Sequence, residues 1–145
     1  MKRIMFAAPL LLLPAASTLP IQPGKWQTTV TIVDVQMPGA PPAIAAAMRG
    51  RPQVVTACVS PEQAAAGPRT VMQASKGKCH YASFDASGGR LHSVMQCTMG
   101  NGQMTVTSDG TYSATGIELS GATTMTGKMA MTMKTRTSGK RLGGC

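Results

Sequence analysis

Residues 79–97 read CHYASFDASGGRLHSVMQC, and this stretch decides the fold. Cysteines close both ends, and Ser87-Gly88-Gly89 supplies the glycines that a tight reversal needs. Folded about Gly88, the segment sets Cys79 opposite Cys97, Tyr81 opposite Met95 and Ser83 opposite Ser93. Directly opposed residues share a face of a sheet, so this register brings the two sulfurs together. The expectation is a β-hairpin stapled by Cys79–Cys97. Four cysteines allow three pairings, and this one leaves Cys58 with Cys145. In the chain-entropy description the two loops contribute about 3 and about 4–5 kcal/mol. Zinc is the competing use of four cysteines, but the close C-x-x-C pairs that structural zinc favours are missing.

The start of the chain points to the same oxidising setting. Lys2-Arg3 precedes an apolar run from Ile4 to Leu13, followed by Pro14-Ala15-Ala16-Ser17. These are the parts of a secretory signal peptide over residues 1–17, with cleavage after Ala16 a close competitor. The run is far shorter than the roughly 20 residues of a membrane-spanning helix. No cysteine follows it to carry a lipid anchor. The expected mature chain, residues 18–145, is one exported domain, periplasmic or secreted. Its aromatics are Trp26, Tyr81, Phe84 and Tyr112. So thin a core suits a domain stapled by disulfides.

Outward from the hairpin, the pattern is mainly β. Trp26, Thr28, Val30 and Ile32 alternate with Gln27, Thr29 and Thr31, as in a strand buried on one side. Residues 37–52 hold an alanine-rich run between prolines, which predicts a short helix. Gln53 to Val59 reads as a strand, and Ser60-Pro61-Glu62-Gln63 as a capping box opening a helix that Gly67-Pro68 ends. Beyond Cys97, Asn101-Gly102 predicts a two-residue turn that faces Met99 with Met104 and Cys97 with Val106. Asp109-Gly110 predicts a further turn. Gly116–Met125 and Met129–Thr137 place Ile117, Leu119, Met125, Met129, Met131 and Met133 on odd positions, opposite Thr124, Thr126, Lys128, Thr132, Lys134 and Arg136. The expected fold is an antiparallel meander of about seven short strands, a curved sheet or partly closed barrel, with two short N-terminal helices.

PGKW near the start, TACVSPEQAA, the paired cysteines, MTGKMAMTMK and the ending SGKRLGGC together resemble one family. It is domain of unknown function 3617, a family of small exported bacterial proteins, and the resemblance spans about residues 23–145. It implies export and a four-cysteine framework, and no activity. Gly24-Lys25-Trp26 also resembles the opening of lipocalin-like barrels, which hold small apolar ligands.

The chemistry-bearing residues are few. His80 and His92 fall on one face of the hairpin about 13 Å apart at 3.3 Å per residue, too far to share a zinc ion. No acid pairs in sequence with a histidine or another acid, and no G-x-S-x-G, phosphate loop or H-E-x-x-H occurs. No catalytic residue, metal or cofactor is expected, and the chain is not expected to be an enzyme. Met129, Met131 and Met133 stand about 6.6 Å apart on one strand face. They either fill an aromatic-poor core, line an adaptable apolar pocket with Trp26 and Met125, or offer soft sulfur to Cu(I). Lys134, Arg136, Lys140 and Arg141 form a basic patch near the carboxyl end. With a formal charge of +9 over the whole chain, that patch suits anionic envelope lipid or polymer. Nucleic acid is not expected, because the aromatics that stack bases are scarce. The expected function is an exported, non-enzymatic binding or interaction module, foremost a carrier of a small apolar ligand. The alternatives are a Cu(I) binder and a structural protein contacting anionic envelope surfaces.

Overall fold

A computed structural model describes residues 21–70 and 75–145 of the chain. The leader expected over residues 1–17 lies outside the described residues. The elements run β1 (Gly24–Gln36), α1 (Pro42–Met48), β2 (Pro52–Val59), α2 (Pro61–Ala66), β3 (Cys79–Ser87), β4 (Arg90–Met99), β5 (Gly102–Tyr112), β6 (Gly116–Met125) and β7 (Met131–Gly143). All seven strands join one antiparallel sheet in the order β2-β1-β7-β6-β5-β4-β3. β3 to β7 form a meander, and the β1–β2 pair adds to its β7 edge. The sheet is not closed: β2 and β3 are free edges. The helices are mid-chain rather than N-terminal, inserted on either side of β2 because the strand signal of β1 precedes both proline-marked helix starts.

Register assigns every strand residue to one of two faces. One face carries Val55 and Ala57 of β2, Trp26, Val30, Ile32 and Val35 of β1, and Met131 and Met133 of β7. It continues through Ile117, Leu119 and Met125 of β6, Met104 and Val106 of β5, Leu91, Met95 and Cys97 of β4, and Tyr81, Phe84 and Ala86 of β3. We call it the Met face. The other, the Thr face, carries Thr29, Thr105, Thr107, Thr124, Thr132, Lys134 and Arg136. The strand side chains that are buried, namely Trp26, Val35, Ala86, Leu91, Ser93, Cys97 and Thr123, all belong to the Met face. The alternation of Met with Thr and Lys in β6 and β7 thus separates a sheltered side from a wet one.

Three register breaks keep the apolar residues on the Met face. Ala82 has no partner on β4, so Tyr81 pairs Met95 while Phe84, not Ser83, pairs Ser93. The extra residue lets Tyr81 and Phe84 share a face, with ring centroids 5.2 Å apart. Val33 is skipped between Ile32 and Asp34, and Leu142 between Lys25 and Trp26 in the pairing of β1 with β7. Both skipped side chains are about half exposed, while Val35 is 1% exposed.

Three turns differ from the sequence expectation. The β3–β4 reversal is the two-residue Gly88-Gly89, both at positive φ, as a type I′ turn requires. The β4–β5 reversal uses Gly100-Asn101, with Gly100 at φ 60°, so Met99 faces Gly102 and Cys97 faces Met104. The shift is by two residues and leaves every side chain on its expected face. Asp109-Gly110 is no turn; it lies within β5, and the reversal comes at residues 113–115, where the Ser113 hydroxyl accepts from Gly116 N–H. The capping box of α2 forms as expected: Ser60 Oγ accepts from Gln63 N–H and Gln63 Oε1 accepts from Ser60 N–H. Ser60 Oγ also donates to Glu62, which holds that carboxyl below its ordinary value.

Burial pushes the Tyr81 phenol above its ordinary value of 10.0. The folded protein therefore holds that proton more tightly than the unfolded chain does. Stability is unaffected well below the unfolded value and falls as pH rises through the folded one. Urea midpoints measured from about pH 9 to about pH 11 should decline more steeply in the parent than in Tyr81→Phe.

Candidate functional site

Both cysteine pairs are bonded, Cys79 with Cys97 and Cys58 with Cys145. Cys79 and Cys97 pair directly across β3 and β4, and Thr98 N–H donates to the Lys78 carbonyl just beyond them. The bridge therefore fixes Lys78 beside Thr98 and Met99 at one end of the sheet. A second clasp holds the neighbouring strands at the same end. Thr126 N–H donates to the Gln103 carbonyl, and Gln103 N–H to Thr126 Oγ1.

Between the two clasps lies a cavity of about 360 Å³. Met99, Met125 and Met129 supply its apolar wall, Gly100, Asn101 and Gly102 its turn, and Lys78 and Lys128 its cationic groups. Its volume falls at the small end of the range for small-molecule sites, about 300–1,000 Å³. Of the lining residues, Met125 lies on the Met face, where its cross-strand neighbours are Met104 and Met131. Among the described residues neither Lys78 nor Lys128 has a carboxylate partner; the ion pairs are Arg49–Asp34 and His92–Asp109.

Of the expected ligand-face residues, Met125 and Met129 meet at this cavity and Trp26, Met131 and Met133 do not line it. β7 begins at Met131, so Met129 lies in the β6–β7 connection and is 73% exposed. Met131 and Met133 stay on the half-buried Met face, Met133 opposite Val35 and Thr123. Trp26 pairs Arg141, ten residues along β7 from Met131, or about 33 Å at 3.3 Å per residue. Its indole N–H donates to the Gln22 carbonyl, and its ring is 8% exposed. Trp26 therefore belongs to the far end of the sheet.

The basic residues also divide. Lys134, Arg136 and Lys140 lie on the Thr face of β7, whereas Arg141 lies on the Met face and donates through Nε to the Pro23 carbonyl. Register sets Asp34 beside Lys134, with Arg49 Nη2 3.1 Å from Asp34, and Glu118 beside Ser138. The Thr face is consequently mixed in sign.

One polar contact was invisible in the sequence. His92 pairs Asp109 across β4 and β5, with Nδ1 and Oδ1 2.6 Å apart, and Asp85 faces His92 from β3. Recognising it required knowing that Asp109 is mid-strand. Ser120 is next in the row, on β6, but Asp109 lies between it and His92. A serine nucleophile needs the base itself within hydrogen-bond reach, so this order rules out Ser120 as the nucleophile of a relay through His92 and Asp109. Among the described residues no three His, Cys, Asp or Glu side chains converge on a point that a metal could occupy.

Met131 and Met133 offer a direct packing test. Each Leu substitution conserves shape and should cost less than about 1.5 kcal/mol. Ala at Met133 should cost about 1–2 kcal/mol, below the range for fully buried methionine because the site is only partly buried. Denaturant midpoints of the single variants decide this.

No helix of the described residues is long and apolar enough to cross a membrane. No curated protein and no solved structure matches the chain. A family model described as "Protein of unknown function (DUF3617)" matches residues 21–145, and with that span covered the chain belongs to the DUF3617 family.

Proposed function

We propose that this protein is an exported, non-enzymatic binding module that carries a small apolar or amphiphilic ligand on its Met face. One observation carries the reading. All seven strands contribute apolar side chains to the same face of one open sheet, and few of them are fully buried. Outside the hydrogen-bonded strand pairs, the close backbone contact between elements of the described residues is chiefly that of α1 with β1, and most apolar side chains of that face stay partly exposed. An apolar surface of this extent on a soluble domain is a place where something binds. Methionine suits the task, since its flexible thioether adapts to varied apolar shapes. Two disulfides favour an oxidising, extracytoplasmic setting.

The test is a titration of the mature, oxidised protein with N-phenyl-1-naphthylamine, an uncharged probe that fluoresces on leaving water. Saturable binding near one probe per chain is expected. Absence of saturable enhancement would overturn the carrier.

A second reading, Cu(I) binding, is favoured by the meeting of Met99, Met125 and Met129 at one cavity. Against it stand Lys78 and Lys128, whose charge opposes a cation at the same place. A stoichiometric Cu(I) complex that survives with both bridges oxidised, and is lost in Met→Leu variants, would reverse that preference.

A further inference from the structure

Resting on the carrier reading, we propose that the cavity between the β4–β5 turn and the β6–β7 connection binds a single-chain anionic amphiphile, an alkyl carboxylate. The carboxylate lies between Lys78 and Lys128, and the alkyl chain runs over Met99, Met125 and Met129 onto the Met face. Three observations select this occupant. The lining contains two lysines and no acid, so it complements a negative headgroup. Its volume of about 360 Å³ admits one alkyl chain rather than a two-chain lipid or a folded partner. Its lining residue Met125 pairs with Met104 and Met131 on the Met face, an apolar row on which a longer tail can lie. The headgroup end is the rigid one. Lys78 directly precedes the Cys79–Cys97 bridge, and Lys128 follows the Thr126–Gln103 hydrogen bonds, so both ammonium stems start from fixed backbone.

Displacement of bound N-phenyl-1-naphthylamine by decanoate, decanol and decyltrimethylammonium, each below its micelle concentration, tests the proposal on the mature protein. Decanoate should compete about tenfold better than decanol, the gain expected of a charge-assisted hydrogen bond at a half-open site. The cation should compete worst. The double variant Lys78→Gln/Lys128→Gln should bind decanoate and decanol alike. Met129→Glu places a negative charge at a 73% exposed position, so it should fold normally and lose decanoate by about tenfold or more. Probe binding without any preference for decanoate, or a preference that survives the double lysine variant, would overturn this proposal and leave the carrier standing. Failure of the parent to bind the probe would overturn both. Co-sedimentation with phosphatidylglycerol vesicles, with no displacement of probe by decanoate, would reassign the lysines to a membrane surface and refute the cavity.

Discussion

Replacing Cys58 and Cys145 together by serine is expected to lower stability by about 4–5 kcal/mol under non-reducing conditions. The two cysteines are 87 residues apart, so their bridge removes more loop entropy from the unfolded chain than the 18-residue separation of Cys79 and Cys97, for which about 3 kcal/mol is expected. The position of the bridge adds a local effect. β2 is an edge strand, paired on one side with β1, and its residues are almost all exposed, Val54 at 56% and Val55 at 61%. Little packing holds it, so the covalent tie to the carboxyl end is what keeps it docked. A domain of this size typically has about 5–15 kcal/mol in total, so the variant should approach its unfolding threshold at growth temperature. Denaturant midpoints give the global cost. Hydrogen exchange should show β2 amides losing protection first, before those of β5 to β7. A loss below about 1 kcal/mol would mean that the bridge closes a loop already constrained in the unfolded chain.

Gly110→Val should destabilise by at least about 3 kcal/mol, at the upper end of overpacking costs. Gly110 lies inside β5, two residues from its end, between Leu91 of β4 and Leu119 of β6. A Cβ built there collides with the Glu118 carbonyl oxygen and stands 2.9 Å from both the Glu118 carbonyl carbon and the Leu119 Cα. All of these are backbone atoms, so no rotamer change relieves the contact and β5 must part from β6. Gly144→Ala is the matched control, because nothing lies within 4 Å of its Cβ position; it should change stability by less than about 0.5 kcal/mol. Equal midpoints for the two variants would contradict the close approach of β5 and β6.

The same glycine explains where the sequence misleads. Asp-Gly is a strong turn signal, yet Gly110 serves close backbone approach inside a strand, a role that local sequence does not distinguish from a turn. That one ambiguity also hid the His92–Asp109 contact, which exists because β5 continues through Asp109. Face assignments were legible wherever alternation was long and chemically sharp, as between Met131, Met133 and Thr132, Lys134. Register errors of two residues, as at Gly100-Asn101, do not alter them. The Cys79–Cys97 register was legible for a mixed reason. The true reversal is two residues long, and the unpaired Ala82 restores the offset that a loop centred on Gly88 would give. The candidate site was only half legible. Met125 and Met129 stood out by periodicity, but Met99, Lys78 and Lys128 join them through the meeting of two turns distant in sequence. Trp26 stood out for its rarity, and topology places it at the other end of the strands.

The central claim, that the Met face holds an apolar ligand, is tested most directly by native mass spectrometry of the mature protein purified without detergent from its own envelope. The account predicts the oxidised chain with one small added mass that is released on unfolding and identified as an alkyl-chain compound. A bare monomer would contradict it, as would a copper adduct or a dimer whose interface covers the Met face.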